Sequence, residues 1–377
     1  MKILILTVTA GGGHNSTASA LRKRFEESGA DVSETDMFEV ISKPIKHIIA
    51  RGYLFSTEKL KKPYAAFYRM GEKRKANSYK PSISRFAYFI MSRKIRLLIE
   101  KTKPDAIVYT HVFCGFILDV IKQKHGLIPK CVGVVTDFAM HPYWEETLRL
   151  DYVVTPNELI YPAASRKGYS YRQVLPFGIP IREEFSVVTD KATARRELGL
   201  DEKLTTIMFM SGSMGHSNLC KVVKELDSLD MDIQIICVCG NNKKAKKKID
   251  ALNMQKPLLN LGFTDKVPLL MDASDCIVTK PGGLTSSEAL AKRLPIIICN
   301  PIAGQEDRNS EFLLNCGVAL RASPTCSVSY AIYQLFYNKQ RIESIKECIE
   351  LIRKPDSTKN VCDFVLNLIE KTDENIT

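Results

Sequence analysis

No two of the 11 cysteines in this 377-residue chain are spaced C-x-x-C, and they are scattered along its length. Several fall inside apolar runs, among them Cys114, Cys131, Cys237, Cys276 and Cys299. That pattern fits reduced core thiols in a cytoplasmic protein and argues against a disulfide framework. No apolar run approaches the ~18 residues a spanning helix needs, so the chain reads as soluble or peripheral. The first run, 3–8, is too short for the h-region of a signal peptide. The glycine turn after it lacks the Gly-Lys-Ser/Thr of a Walker loop, and Thr17 stands where the third glycine of G-x-G-x-x-G belongs. Asp36, about 20 residues beyond those glycines, keeps a nicotinamide-dependent oxidoreductase open as a minor alternative. Repeats and low-complexity runs are absent, and there is one tryptophan, Trp144.

Positive charge is abundant. Lys and Arg number 54 against 42 Asp and Glu, a formal net charge of +12. Such an excess points to an acidic partner, nucleic acid or anionic lipid, or serves nothing more than solubility. The length suggests two domains, and 45% hydrophobic residues suffice for two cores.

The most informative stretch is 276–309. An apolar run, 276–278, ends in Thr279-Lys280-Pro281-Gly282-Gly283, a helical pattern follows, and Pro295 opens a second apolar run, 296–299. This is a strand, glycine turn, helix and strand, one βαβ unit of a parallel sheet. The turn leaves backbone N–H groups at a helix N-terminus, where the dipole favours an anion. Glu288 lies about one turn inside, too deep for a simple cap, where a carboxylate suits a ribose better than a phosphate. A second glycine turn, Ser211-Gly212-Ser213-Met214-Gly215-His216, ends the strand 205–210 and suits the same pyrophosphate. No Asp-x-Asp pair sits beside either loop, so neither a metal nor another cofactor is expected.

The string Lys280-Pro281-Gly282-Gly283-Leu284-Thr285, Ser287-Glu288-Ala289, Leu294-Pro295, Asn300-Pro301 and Gly304-Gln305-Glu306-x-x-Asn309 resembles glycosyltransferase family 28. Within that family it looks like the group of monogalactosyldiacylglycerol synthases and processive diacylglycerol β-glucosyltransferases. The resemblance implies a GT-B fold: α/β, two Rossmann-like doubly wound domains facing across a cleft. It implies an inverting transfer of a hexose from a UDP-sugar to diacylglycerol or a glycosyl-diacylglycerol. Glu288 would hold the ribose, Gln305 and Glu306 would read the sugar, and Phe263 with Thr264 would hold the uracil. A core role for Phe263 is equally open.

The same resemblance reaches the first half. Gly11-Gly12-Gly13-His14 after strand 2–9 matches the acceptor loop, with the helix expected to resume at Asn15 or Ser16. Thr136-Asp137-Phe138, with His141 and Trp144 following, matches the central acceptor motif. Either His14 or Asp137 is the base, and the other its partner. Trp144 is core or lines an acceptor path, and His111 reads as structural. Gly-Ile-Pro at 178–180 marks the hinge, dividing an acceptor domain, 1–178, from a donor domain, 179–377. The last helix is expected to cross back to the first domain.

Between 41 and 103 the sheet pattern lapses into basic and aromatic residues, including Lys59, Lys61, Lys62, Lys73, Arg74 and Lys75. Solvated helices account for this, or an anionic membrane surface on the inner face of the cell membrane. Two alternatives remain at this stage. One is a UDP-GlcNAc transferase with another lipid-linked acceptor; the other, supported by charge alone, is a nucleic-acid-binding protein.

Overall fold

The computed structural model describes residues 1–9, 12–40, 84–126, 128–210, 219–302 and 304–374. Gly11, the turn 212–215 and the basic residues Lys59, Lys61, Lys62, Lys73, Arg74 and Lys75 lie outside the described residues.

The chain divides into two units, one of residues 1–183, 302–305 and 356–377 and one of 184–301 and 306–355. The first holds β1 (Lys2–Thr7), β2 (Asp31–Asp36), β3 (Ala106–Tyr109), β4 (Lys130–Val134), β5 (Tyr152–Val154) and β6 (Val174–Leu175). Among the described residues they form one sheet in the order β2-β1-β3-β4-β5-β6, every pair parallel. The strands at its centre are unbroken apolar runs because helices cover both faces. Val361, Cys362, Val365 and Ile369 of the helix Ser357–Glu374 belong to this core, packed with Leu21 and Phe25 of the helix Gly12–Glu27. Ser357 Oγ donates to Ile179 O (2.9 Å), which ties the start of that last helix to the segment after β6.

The second unit holds β7 (Thr205–Met210), β8 (Ile233–Val238), β9 (Leu258–Leu261), β10 (Cys276–Thr279), β11 (Ile296–Ile298) and β12 (Ala319–Arg321). Their order is β12-β11-β10-β7-β8-β9, again all parallel. Beyond Asn309 the sequence pattern predicts only helices, and β12 corrects that expectation. It pairs with the outer edge of β11, Ile296 opposite Ala319.

One packing feature places the first unit's site. Tyr109, the last residue of β3, is fully buried and stacks on Trp144, ring centroids 5.9 Å apart. A Cβ added at Gly115 or Gly133 would come within 2.5 Å of the Tyr109 ring, so both glycines make room for it. Gly133→Ala is therefore expected to destabilise the protein by about 1–3 kcal/mol through overpacking, read as a lower Tm. An unchanged Tm would show that the ring has another place to go.

Candidate functional site

In the first sheet, strands β2 and β3 flank β1 on opposite sides, so the chain switches direction between β1 and β3. Strand ends at such a switch leave the crevice where α/β folds bind ligands. The helix Gly12–Glu27 leaves β1 there, beginning at Gly12 and not at the expected Asn15 or Ser16. Asn15 is not a cap because its side chain serves otherwise: Oδ1 accepts from Thr7 Oγ1 (3.1 Å) and Nδ2 donates to Thr9 Oγ1 (3.0 Å). Thr110 Oγ1 donates to Thr7 Oγ1 (2.9 Å), and the Thr9 hydroxyl donates to the Asp36 carboxylate. The resulting chain of hydrogen bonds stitches the ends of β1, β2 and β3 to the first helical turn. Asp36, the ribose candidate of an oxidoreductase, belongs to this stitching.

That turn carries Gly12, Gly13 and His14. His14 Nδ1 lies 2.8 Å from Thr110 O and 3.1 Å from Thr136 Oγ1. A carbonyl only accepts, so Nδ1 carries the hydrogen and the neutral ring keeps its lone pair on Nε2. Burial lowers the His14 pKa from its ordinary 6.5, against a smaller raising effect of the Thr110 carbonyl bond. The helix N-terminus acts in the lowering direction too. His14 is thus neutral at pH 7, with a basic nitrogen left available.

Asp137, half-buried, follows Thr136 directly. The groups that orient His14 through Nδ1 are the hydroxyl of Thr136, from the Thr136-Asp137-Phe138 motif, and the carbonyl of Thr110, which no motif in the sequence marks. His111 follows Thr110 and packs edge-on against His14, centroids 4.7 Å apart at 73°. His141 caps the short helix Pro142–Thr147, its Nδ1 accepting from Tyr143 N (3.3 Å). Trp144 is only 3% exposed, stacked on Tyr109, and its carbonyl accepts from Tyr169 Oη (2.9 Å), so its place is in the core. Gln305 groups with this unit, where its Nε2 donates to Ala139 O (3.1 Å).

The second sheet switches direction between β7 and β10. The loop after β10 leads into the helix Gly283–Ala291, with Gly282 at its N-cap. Gly282 has φ −68° and ψ 140°, which any residue adopts, and an added Cβ would meet nothing within 4 Å. Neither backbone strain nor packing requires glycine here; the open space does suit the approach of a phosphate to backbone N–H groups. Leu284 and Thr285 are half-buried in the first turn, as is Lys280 before it. Asn309, fully buried, donates from Nδ2 to Pro281 O (2.9 Å) and so pins the loop from behind. Glu288 is 8% exposed, and the Ser286 hydroxyl oxygen on the same helix is buried without a hydrogen-bond partner. Lys280 and Glu306 act on Cys299 at the end of β11, whose thiol burial pushes up to about 11, Lys280 lowering and Glu306 raising it. Phe263, after β9, is 79% exposed, which sets aside a core role, and Thr264 Oγ1 accepts from Lys266 N (3.1 Å).

The fold is similar to that of several solved structures. MurG of Acinetobacter baumannii superposes with a TM-score of 0.67 at 13% identity, over 97% of this chain and 100% of that one. The glycotransferase of kitacinnamycin does so with a TM-score of 0.63 at 14% identity, over 98% and 99%. The fold is therefore GT-B, the class expected for a nucleotide-sugar transferase. The processive diacylglycerol β-glucosyltransferase of Bacillus pumilus (strain SAFR-032) is 27% identical over 99% of this chain and 95% of its own length. Residues 14–181 match the family model of monogalactosyldiacylglycerol (MGDG) synthase, and 206–360 that of the glycosyltransferase family 28 C-terminal domain. The chain belongs to glycosyltransferase family 28, in its monogalactosyldiacylglycerol synthase group. It is a glycosyltransferase, and the oxidoreductase and nucleic-acid readings fall away.

Proposed function

We propose that this protein moves a hexose from a UDP-sugar to the hydroxyl of diacylglycerol, or of a sugar already on it, with inversion at the anomeric carbon. The observation that carries the mechanism is the neutral His14 ring, its Nδ1–H held by Thr110 O and its Nε2 left basic. Nε2 takes the acceptor proton as the hydroxyl oxygen bonds to the anomeric carbon. The bond from that carbon to the phosphate oxygen breaks, and UDP leaves with the electron pair. Backbone N–H groups of Gly283, Leu284 and Thr285 stabilise its charge, helped by the glycine turn 212–215, assigned on sequence. Glu288 holds the ribose, Phe263 and Thr264 the uracil, and Gln305 and Glu306 read the sugar. Gly12, Gly13, Asp137 and His141 serve the acceptor side. This reading involves no metal, so a chelator should leave turnover unchanged. The substrates are supported by the near-full-length likeness to diacylglycerol β-glucosyltransferases. Incubating the protein with diacylglycerol vesicles and each of UDP-glucose, UDP-galactose and UDP-GlcNAc, then resolving the lipids by thin-layer chromatography, tests the assignment. Transfer only to a different lipid-linked acceptor would replace diacylglycerol.

The acceptor sits in a bilayer, and no helix among the described residues is long and apolar enough to cross one. The reading therefore places the protein in the cytoplasm, peripheral on the inner face of the membrane. Lys59, Lys61, Lys62, Lys73, Arg74 and Lys75 would each contribute roughly 1 kcal/mol near an anionic surface. Changing Lys59, Lys61 and Lys62 to Glu should abolish sedimentation with anionic vesicles while activity on dispersed short-chain diacylglycerol persists. Undiminished vesicle binding would move the membrane face elsewhere.

A further inference from the structure

His111 has no part in the chemistry above, yet it stands against the base. Its Nδ1 accepts from Phe113 N (3.1 Å), capping the helix Val112–His125, so in the neutral ring the hydrogen is on Nε2. Its ring meets that of His14 nearly at right angles, 4.7 Å between centroids. His14 is held along one direction by Thr110 O and Thr136 Oγ1, both acting on Nδ1. Bonds at a single nitrogen leave the ring free to tilt about them. A flat neighbour at right angles removes that freedom, and the capping bond in turn fixes the neighbour.

We propose that His111 is a positioning residue for the transfer reaction, a neutral ring wedged against His14 that fixes the direction of its Nε2 lone pair. Protonated His111 would put a positive charge beside the base. Burial disfavours that charge, and so do the two titratable groups that face it, His14 from the helix Gly12–Glu27 and His141 from the segment after β4. His14 and His111 therefore share a site that holds both rings uncharged. Capping alone would not need a histidine, since Asn or Asp serves better at that position. The inference rests on His14 being the base.

Two substitutions separate the cap from the wedge. His111→Asn keeps an acceptor for Phe113 N and removes the ring; His111→Phe keeps a ring and removes the acceptor. The asparagine variant should melt like the parent and keep its KM for the UDP-sugar, but lose roughly 10- to 100-fold in kcat, the scale of a misaimed catalytic group. Its acid limb in kcat should move up toward 6.5 as the His14 ring loosens and hydrates. The phenylalanine variant should melt lower yet keep kcat within a few-fold of the parent. An asparagine variant with parental kcat and pH profile would reduce His111 to a helix cap and overturn the proposal. His14→Ala in the same assay is the control. If that protein is active, the base itself is misassigned; if it is inactive while His111→Asn is normal, only the wedge fails.

Discussion

His14→Ala should lower turnover by ~10²–10⁴ and leave UDP-sugar affinity unchanged, the loss typical of a removed general base. Affinity survives because Glu288, Phe263, Thr264 and the turn 280–285 belong to the other unit. The pH profile carries the same claim. Because the His14 pKa is lowered from 6.5, the ring stays unprotonated to lower pH than a free imidazole. The acid limb of kcat/KM should therefore lie below 6.5, activity falling only as pH drops through the lowered value. Asp137→Asn supplies the comparison. If Asp137 assists His14, the double variant with His14→Ala loses little more than either single one, as expected of residues acting as a unit. Multiplying losses would make Asp137 an independent contributor. A His14→Ala protein with more than a tenth of parental turnover would end the assignment of the base.

The second large effect belongs to the donor seat. Glu288→Ala should weaken UDP binding by on the order of 2–4 kcal/mol, roughly 30- to 700-fold in Kd, through two lost hydrogen bonds to a carboxylate. Calorimetry with UDP alone measures this without any lipid. Gly282→Ala is the informative partner. Its Cβ meets no protein atom within 4 Å and its backbone is unstrained, so Tm should not move. The methyl group would stand where the pyrophosphate approaches the N–H groups of the turn, so UDP affinity should fall sharply. Gly133→Ala shows the opposite pattern, a lower Tm from the Tyr109 clash with UDP affinity kept. Equal UDP affinity in the parent, Glu288→Ala and Gly282→Ala would mean the nucleotide binds elsewhere.

Much of this was legible before any coordinates, for identifiable reasons. Parallel strands buried on both faces are continuous apolar runs, so β1, β3, β7, β8 and β10 stand out in the sequence. Short outer strands do not. Val174–Leu175 is two residues, too short to show a period, and Ala319–Arg321 is three residues with no alternation, a strand only because β11 offers an open edge. The donor turn was legible because glycine, proline and an acidic residue at fixed spacing express local backbone geometry. What orients the base was not. Thr110 acts through a carbonyl that every residue possesses, and it reaches His14 across 96 positions of chain. Asn309 likewise pins Pro281 from 28 residues away. The room for Tyr109 is made by glycines on a different helix and strand, a fit no local pattern records. Asn15 illustrates the converse: a strong capping residue by type that tertiary hydrogen bonds recruit elsewhere.

The most direct test is the anomeric configuration of the lipid product, determined by NMR after transfer from a UDP-α-hexose to diacylglycerol. A single in-line displacement with His14 as base predicts a β-glycosidic bond throughout. An α-linked product would contradict it, because retention requires a different course at the anomeric carbon and leaves the neutral His14 without its proposed role.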